Sequence, residues 1–248
     1  MTGVQTCALP ISCLSVNVTE GEYNCHNCGW KGNVRTFAKR EMAKKYEKPD
    51  QSMLASISLN EKILSYFEKR KVSKETLEKF FIHGKEEFMP QTQKKENCIV
   101  FPYLREGEIV NAKFRDGRKN FKLVKDAELT FFGMQTLNGR HCAIITEGEI
   151  DALSAYEAGF GKDYEPEADV NGEVVEHELG RWAVLSVPNG ASRGSQRLEY
   201  LDNCSDWLSE VDEFIIATDA DQPGTELRDE LVRRLGVEKC RKIGRAHV

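Results

Sequence analysis

CAIITEGEID, running from Cys142 to Asp151, opens on an apolar run and closes with three acids in its last five residues. Two later stretches share its form: WAVLSV (Trp182–Val187) and EFIIA (Glu213–Ala217). Each run is followed by a helical apolar pattern. Ile150, Leu153, Ala155 and Tyr156 follow the first, Leu198, Leu201 and Leu208 the second, and Leu227, Leu231 and Leu235 the third. Short buried runs alternating with amphipathic helices predict a parallel sheet flanked by helices, an α/β fold. In such sheets the binding site lies at the carboxyl ends of the strands. The acids fall there: Thr146-Glu147-Gly148-Glu149-Ile150-Asp151 after the first strand and Thr218-Asp219-Ala220-Asp221-Gln222-Pro223-Gly224 after the third.

Up to five carboxylates are thereby brought to one sheet edge. Hard oxygen donors of this kind suit Mg²⁺ or Mn²⁺ together with water and substrate phosphates. Without a cation the cluster would repel itself and raise its own pKa values. The Asp-x-Asp spacing sends two carboxylates to the same side, and Gly224 permits a tight turn into the next helix. Acids in a first helical turn are also ordinary stabilisers of that turn, a reading that stays open for Glu149 and Asp151.

The order T-E-G-E-x-D, then D-x-D-x-x-G some seventy residues on, resembles the TOPRIM domain of primases, topoisomerases and some nucleases. That resemblance implies Glu147 as general acid/base and Asp219 and Asp221 as Mg²⁺ ligands, with Glu147 assisting and Glu149 and Asp151 in support. The loop Val187–Ser192 (VPNGAS) resembles the small-residue loop of phage-type primases and adds Asn189 and Gly190 as supporting residues. The chain departs from that pattern with an acidic insert, Gly161 to Gly180, and with no acidic segment after a fourth strand.

Upstream, Cys25-His26-Asn27-Cys28-Gly29-Trp30-Lys31-Gly32 looks like one knuckle of a zinc ribbon, in which the two-residue gap lets both thiolates reach one tetrahedral Zn²⁺. One C-x-x-C is half a site, so Cys25 and Cys28 are expected to await a partner pair. Cys13 reads as a strand residue, Trp30 as a stacking surface or ribbon core. Cys98, Cys142, Cys204 and Cys240 read as small buried residues. A polar linker spans 34–58. Two short helices follow, one on Ile63, Leu64 and Phe67, the other on Leu77, Phe80 and Phe81 with Ser73 as N-cap. Cys98–Tyr103 and Ile109–Phe114 predict a hairpin turning at Glu106-Gly107. The stretch Lys113–Lys122 (KFRDGRKNFK) carries Lys113, Arg115, Arg118, Lys119 and Lys122, a local basic surface suited to a nucleotide or a nucleic-acid backbone. It also resembles the basic subdomain of phage-type primases.

Composition sets the outer bounds. The 248 residues carry 40 acids against 35 Lys and Arg, a net charge of -5, so nucleic-acid contact has to be local rather than spread over the surface. Charged residues are 30% of the chain and mean hydropathy is -0.51, with no apolar run long enough to span a bilayer. The eight cysteines are too scattered for a disulfide scaffold, and a reduced, cytoplasmic setting in a bacterial or phage-infected cell is expected. Gly3–Ile11 and Ile243–Val248 back-translate into the two strands of a common sequencing-library adapter, so residues 1–12 and 243–248 read as adapter-derived. The natural stretch is therefore expected to run from Cys13 to Lys242 and to be truncated at both ends.

The expected organisation is a partial zinc ribbon at 13–33, a linker at 34–58, a mixed α+β basic subdomain at 59–139 and a TOPRIM domain at 140–242. The function implied is that of a DNA primase, making short RNA primers with Mg²⁺ on single-stranded DNA from ribonucleoside triphosphates, beside a fused or separate replicative helicase. The alternatives are another TOPRIM enzyme, a topoisomerase or nuclease, and a non-catalytic DNA-binding recombination or helicase-associated module.

Overall fold

A computed structural model of the protein describes residues 5–6, 14–19, 21–26, 31–33, 46–54, 59–164, 167–168, 174–175, 177–190 and 198–242. Cys13, Cys28, Trp30, Ala191, Ser192, residues 34–45 and 55–58 of the stretch read as linker, and the last six residues lie outside them. The chain divides into two compact units, Met1–Lys45 and Tyr46–Val248.

The first unit is an antiparallel meander of β1 (Gln5–Thr6), β2 (Leu14–Asn17), β3 (Glu22–Cys25) and β4 (Lys31–Asn33), paired in sequence order. Cys25 closes β3 and is buried, while the His26 ring meets the Ser15 hydroxyl at 2.6 Å.

The second unit starts with α1 (Glu61–Glu68) and α2 (Lys74–Lys79). Asn60 caps α1, accepting from the Ile63 amide, and Ser73 caps α2 as its sequence position predicts, accepting from the Thr76 amide. An antiparallel sheet follows, ordered β5 (His83–Met89), β6 (Lys94–Arg105), β7 (Glu108–Arg115) and β8 (Phe121–Leu123). The β6–β7 turn falls at Glu106 and Gly107, both with positive φ, the conformation a two-residue hairpin requires. Within the stretch read as linker, Gln51 donates to the Ile109 carbonyl and accepts from the Ile109 amide, at 2.8 and 2.9 Å.

The parallel sheet contains β9 (Cys142–Thr146), β12 (Trp182–Ser186), β13 (Glu213–Ala217) and β14 (Cys240–Lys242), in the order β12-β9-β13-β14. The short hairpin β10 (Glu167–Ala168) and β11 (Val174–Val175) lies in the acidic insert. Helices α3 (Glu149–Glu157) and α6 (Gln222–Leu235) follow β9 and β13. The single helix expected over Leu198–Leu208 is two short ones, α4 (Glu199–Asn203) and α5 (Ser205–Ser209), separated at Cys204. A fourth strand, β14, pairs in parallel with β13.

Side chains alternate across this sheet with the period of two that strands impose. Ala143, Ile145, Ala183, Leu185, Phe214 and Ile216 face the core of α4, α5 and α6. Ile144 and Val184 face a second core shared with α1, α2, α3 and the antiparallel sheet. Phe132 is the centre of that second core, packed against Phe80, Phe101 and Tyr103 at centroid distances of 5.4, 6.1 and 5.7 Å. It pairs in both directions with the backbone of Ser186. Gly133 must follow it: at φ 87°, a Cβ there would lie 2.1 Å from the Val184 carbonyl oxygen. Burial pushes the Cys98 and Cys204 thiols up to about 11, in keeping with small core residues. Cys142 is also buried, but Cys240 is only partly so.

Helices α2 and α3 are locked by Glu157. Its Oε2 accepts from the Ser73 amide (3.0 Å), the Ser73 hydroxyl (2.8 Å) and the Thr76 hydroxyl (2.5 Å). Burial alone would raise this carboxyl, but those bonds and the nearby Lys162 outweigh it and hold the pKa below its ordinary value. A depressed carboxylate pKa contributes stability above the unfolded value, about 4.3. That contribution is lost as pH falls through the folded value. Glu157→Gln is therefore expected to lower urea-unfolding stability at pH 7, and that effect to shrink as pH falls below about 4.3. A deficit that persists at acid pH would contradict this.

Candidate active site

The strand-end acids are placed by backbone geometry. Thr146 ends β9 and is buried, its hydroxyl donating to the Gly148 and Leu185 carbonyls at 3.1 and 3.2 Å. The next residue, Glu147, turns toward the neighbouring strand end, where its Oε2 accepts from the Asp219 amide at 3.1 Å. One bond thus ties the two acidic motifs together across 72 residues of sequence. Asp221 caps α6, accepting from the Gly224 amide at 2.8 Å, and Thr218 donates to the Gly224 carbonyl at 2.8 Å. Gly224 is needed for close approach rather than for an unusual φ: a Cβ would lie 2.3 Å from the Asp219 carbonyl oxygen.

These strand ends form one wall of a cleft of about 420 Å³. Glu147, Glu149, Asp151 and Asp219 line it with Pro188, Asn189 and Gly190 of the loop after β12. The antiparallel sheet adds Lys113, Phe121, Lys122 and Leu123 to the same lining. Asp221, with its carboxylate at the helix cap, is not part of that lining. The Asp151 carboxyl is raised, first by burial and then by the charges of Asp219, Glu147 and Glu149, the mutual repulsion expected of crowded carboxylates. Among the described residues no three His, Cys, Asp or Glu side chains are gathered as a preformed metal cage. The donor chemistry nonetheless fits a hard divalent cation: oxygen-only groups of like charge, brought within mutual electrostatic reach at two strand ends.

Glu149 has another role than the one its motif suggests. It is 4% exposed, and its Oε1 accepts from the Lys113 ammonium at 2.7 Å and from the Tyr103 hydroxyl at 2.5 Å. Burial, then the Glu149 charge and hydrogen bond, push the Tyr103 phenol well above its usual range, so it stays a donor. Glu149 is a buried clasp between α3 and strands β6 and β7. No sequence spacing signals it, because positions 103, 113 and 149 belong to three separate elements.

The five bases of the hairpin do not act as one surface. Lys113 and Lys122 line the acidic cleft, and Lys122 also bonds Glu87 (2.7 Å) and the Phe88 carbonyl (3.1 Å). Arg115 and Lys119 line a different cavity, on the α1 side of the sheet. The Arg115 guanidinium lies 5.1 Å from the Tyr66 ring and 5.8 Å from the Phe121 ring. Arg118 is exposed at the turn. That turn is held by Asp116, which accepts from the Arg118 and Asn120 amides and the Asn120 side chain at 2.8, 2.9 and 2.8 Å. Sequence reading missed Phe121 and Tyr103 because aromatic residues in strands read first as core.

The acidic edge of the parallel sheet and basic residues of the antiparallel sheet line one cleft, and residues 142–248 match the Toprim domain. The match takes in the parallel sheet with both of its acidic strand ends. In fold the chain is similar to solved primase structures. The primase fragment of the bacteriophage T7 primase-helicase protein superposes with a TM-score of 0.54 at 21% identity, covering 96% of this chain and 88% of that one. The zinc-binding and RNA polymerase domains of the Aquifex aeolicus primase give 0.52 at 14% identity, covering 96% and 71%. In sequence the chain is 30% identical over 238 residues to the Twinkle homolog protein, chloroplastic/mitochondrial, of Arabidopsis thaliana, and 29% identical to the Primase homolog protein of the same plant. The matches cover 89% and 90% of this chain but only 30% and 63% of those proteins, so it spans less than two thirds of either relative. No helix among the described residues is long and apolar enough to cross a membrane.

Proposed function

We propose that this chain is the primase portion of a DNA primase or primase–helicase, joining ribonucleoside triphosphates into short primers on single-stranded DNA. One observation carries the reading: the two acidic strand ends and the basic strand β7 with its neighbour β8 line a single cleft. Asp219 and Glu147 in the cleft, with Asp221 beside them at the cap of α6, would hold Mg²⁺ or Mn²⁺. When bound, such an ion supplies charge neutralisation at the nucleotide phosphates and at the attacking and leaving oxygens.

The remaining work falls to the chain's own groups. Lys113 and Lys122, paired with Glu149 and Glu87, sit in the lining of the same cleft and orient a triphosphate from there. Glu147, on the turn after β9, takes the proton from the attacking 3′-hydroxyl. Asn189 and Gly190 border the incoming nucleotide, and Asp151 reinforces the negative field of the cluster. Arg115, Arg118 and Lys119 provide phosphate contacts for the template outside the cleft. Cys25 and Cys28 would form half of a Zn²⁺ site that presents the template start. A cytoplasmic setting and a helicase partner follow from the same reading.

The test is a three-way assay of this chain with single-stranded DNA, ribonucleotides and Mg²⁺. Template-dependent di- and oligoribonucleotides are expected. Relaxed plasmid or cut DNA in their place would assign the chain to another TOPRIM chemistry. DNA binding without any reaction would make it a non-catalytic module.

A further inference from the structure

Phe121, on β8, is the one large apolar residue of the cleft lining that is substantially exposed, at 45%. Its backbone is fixed twice. β8 pairs with β7, with Phe121 directly opposite Arg115, and the Gln91 side chain donates to the Phe121 carbonyl at 2.8 Å. Two cations flank the ring, the Lys113 ammonium 5.1 Å and the Arg115 guanidinium 5.8 Å from its centroid. A nucleotide has two chemically different ends, a polyanionic one and a flat aromatic one. The cleft offers cations and carboxylates for the first, and Phe121 presents the π-face for the second.

We propose that Phe121 is the platform on which a nucleobase stacks in this cleft, holding the base while Lys113 and the acidic edge face the phosphates. The ligand chemistry is a nucleobase joined to phosphate, supplied by a ribonucleoside triphosphate or by a single strand of DNA. Base–aromatic stacking is sequence-tolerant and energetically large enough to measure, because every base has a π-face. The proposal rests on reading the cleft as a nucleotide site but not on turnover, so the test reads binding.

Phe121→Trp places an indole at the platform, and its emission is taken as the difference from the unsubstituted chain, which has three tryptophans of its own. Titration is with GTP, with ATP, with a short oligothymidylate and with inorganic tripolyphosphate. Quenching by a nucleotide or by the oligomer, but not by tripolyphosphate, is expected, and whichever of the two saturates at lower concentration names the source of the base. Phe121→Ala should weaken that ligand's binding by about tenfold or more, measured by isothermal titration, while Phe121→Tyr keeps it. Quenching by tripolyphosphate alone, no quenching at all, or unchanged affinity in Phe121→Ala would overturn the proposal. Failure of primer synthesis with nucleobase-dependent quenching intact would refute the polymerase reading and leave the stacking site standing.

Discussion

Glu149→Ala should destabilise the second unit by about 3–5 kcal/mol, the cost of leaving one member of a buried ion pair without its partner. The geometry supports a figure at this end of the scale. The Lys113 and Glu149 side chains are 11% and 5% exposed, and Tyr103 closes the third side. Removing the carboxylate strands an ammonium and a phenol donor in a site with little water. The pair as a whole is a different matter, since apolar replacement of both partners is often neutral or stabilising. Lys113→Met combined with Glu149→Leu is therefore expected to recover most of the stability lost in Glu149→Ala. Urea unfolding of the two variants beside the unsubstituted chain measures both. A double variant as unstable as the single one would mean that Glu149 acts through packing or through the helix terminus, not as the clasp of Lys113.

Glu147→Gln is expected to have the largest effect on chemistry, lowering the rate of dinucleotide formation by about 10²–10⁴, the range spanned by a positioned proton acceptor. Glutamine keeps the side-chain length and an oxygen that can still accept from the Asp219 amide, so the link between the strand ends survives. Unfolding stability should stay within about 0.5 kcal/mol, because the residue is partly exposed and no buried charge is orphaned. Single-turnover assays with saturating ribonucleotide separate a loss of rate from a loss of binding. Synthesis within a few-fold of the unsubstituted chain would remove Glu147 from the proton-transfer role.

The parallel sheet was legible because its strands are unbroken apolar runs bounded by polar residues. Cys142–Thr146 and Glu213–Ala217 appear in the structure with the bounds their sequence suggests. Helix α6 was readable from Leu227 and Leu231, and Ser73 from cap chemistry that acts over three residues. Local rules reach that far. The helix expected over Leu198–Leu208 breaks at Cys204, which is fully buried, because tertiary packing of short segments outweighs periodicity there.

The site was legible as a set of carboxylates at strand ends, but not in its division of labour. Glu147 and Glu149 stand two residues apart in one motif, yet one reaches Asp219 at the sheet edge and the other is buried beneath Lys113. The basic run read as a single surface, whereas the strand–turn–strand geometry sends Lys113 and Lys122 to the acidic cleft and Arg115 and Lys119 to the other cavity. Both distinctions depend on partners 35 or more residues away, beyond any spacing rule.

Under the proposed function the two acidic strand ends and the basic sheet make one divalent-cation and nucleotide site. Fe²⁺ in place of Mg²⁺, with ascorbate and peroxide, cuts a polypeptide near the bound ion, and the fragments can be mapped by mass spectrometry. Cuts are expected around residues 146–151 and 218–221, and they should fade as Mg²⁺ is added and in Asp219→Asn. Cleavage confined to other segments, or cleavage at these ones that excess Mg²⁺ leaves unchanged, would contradict the account.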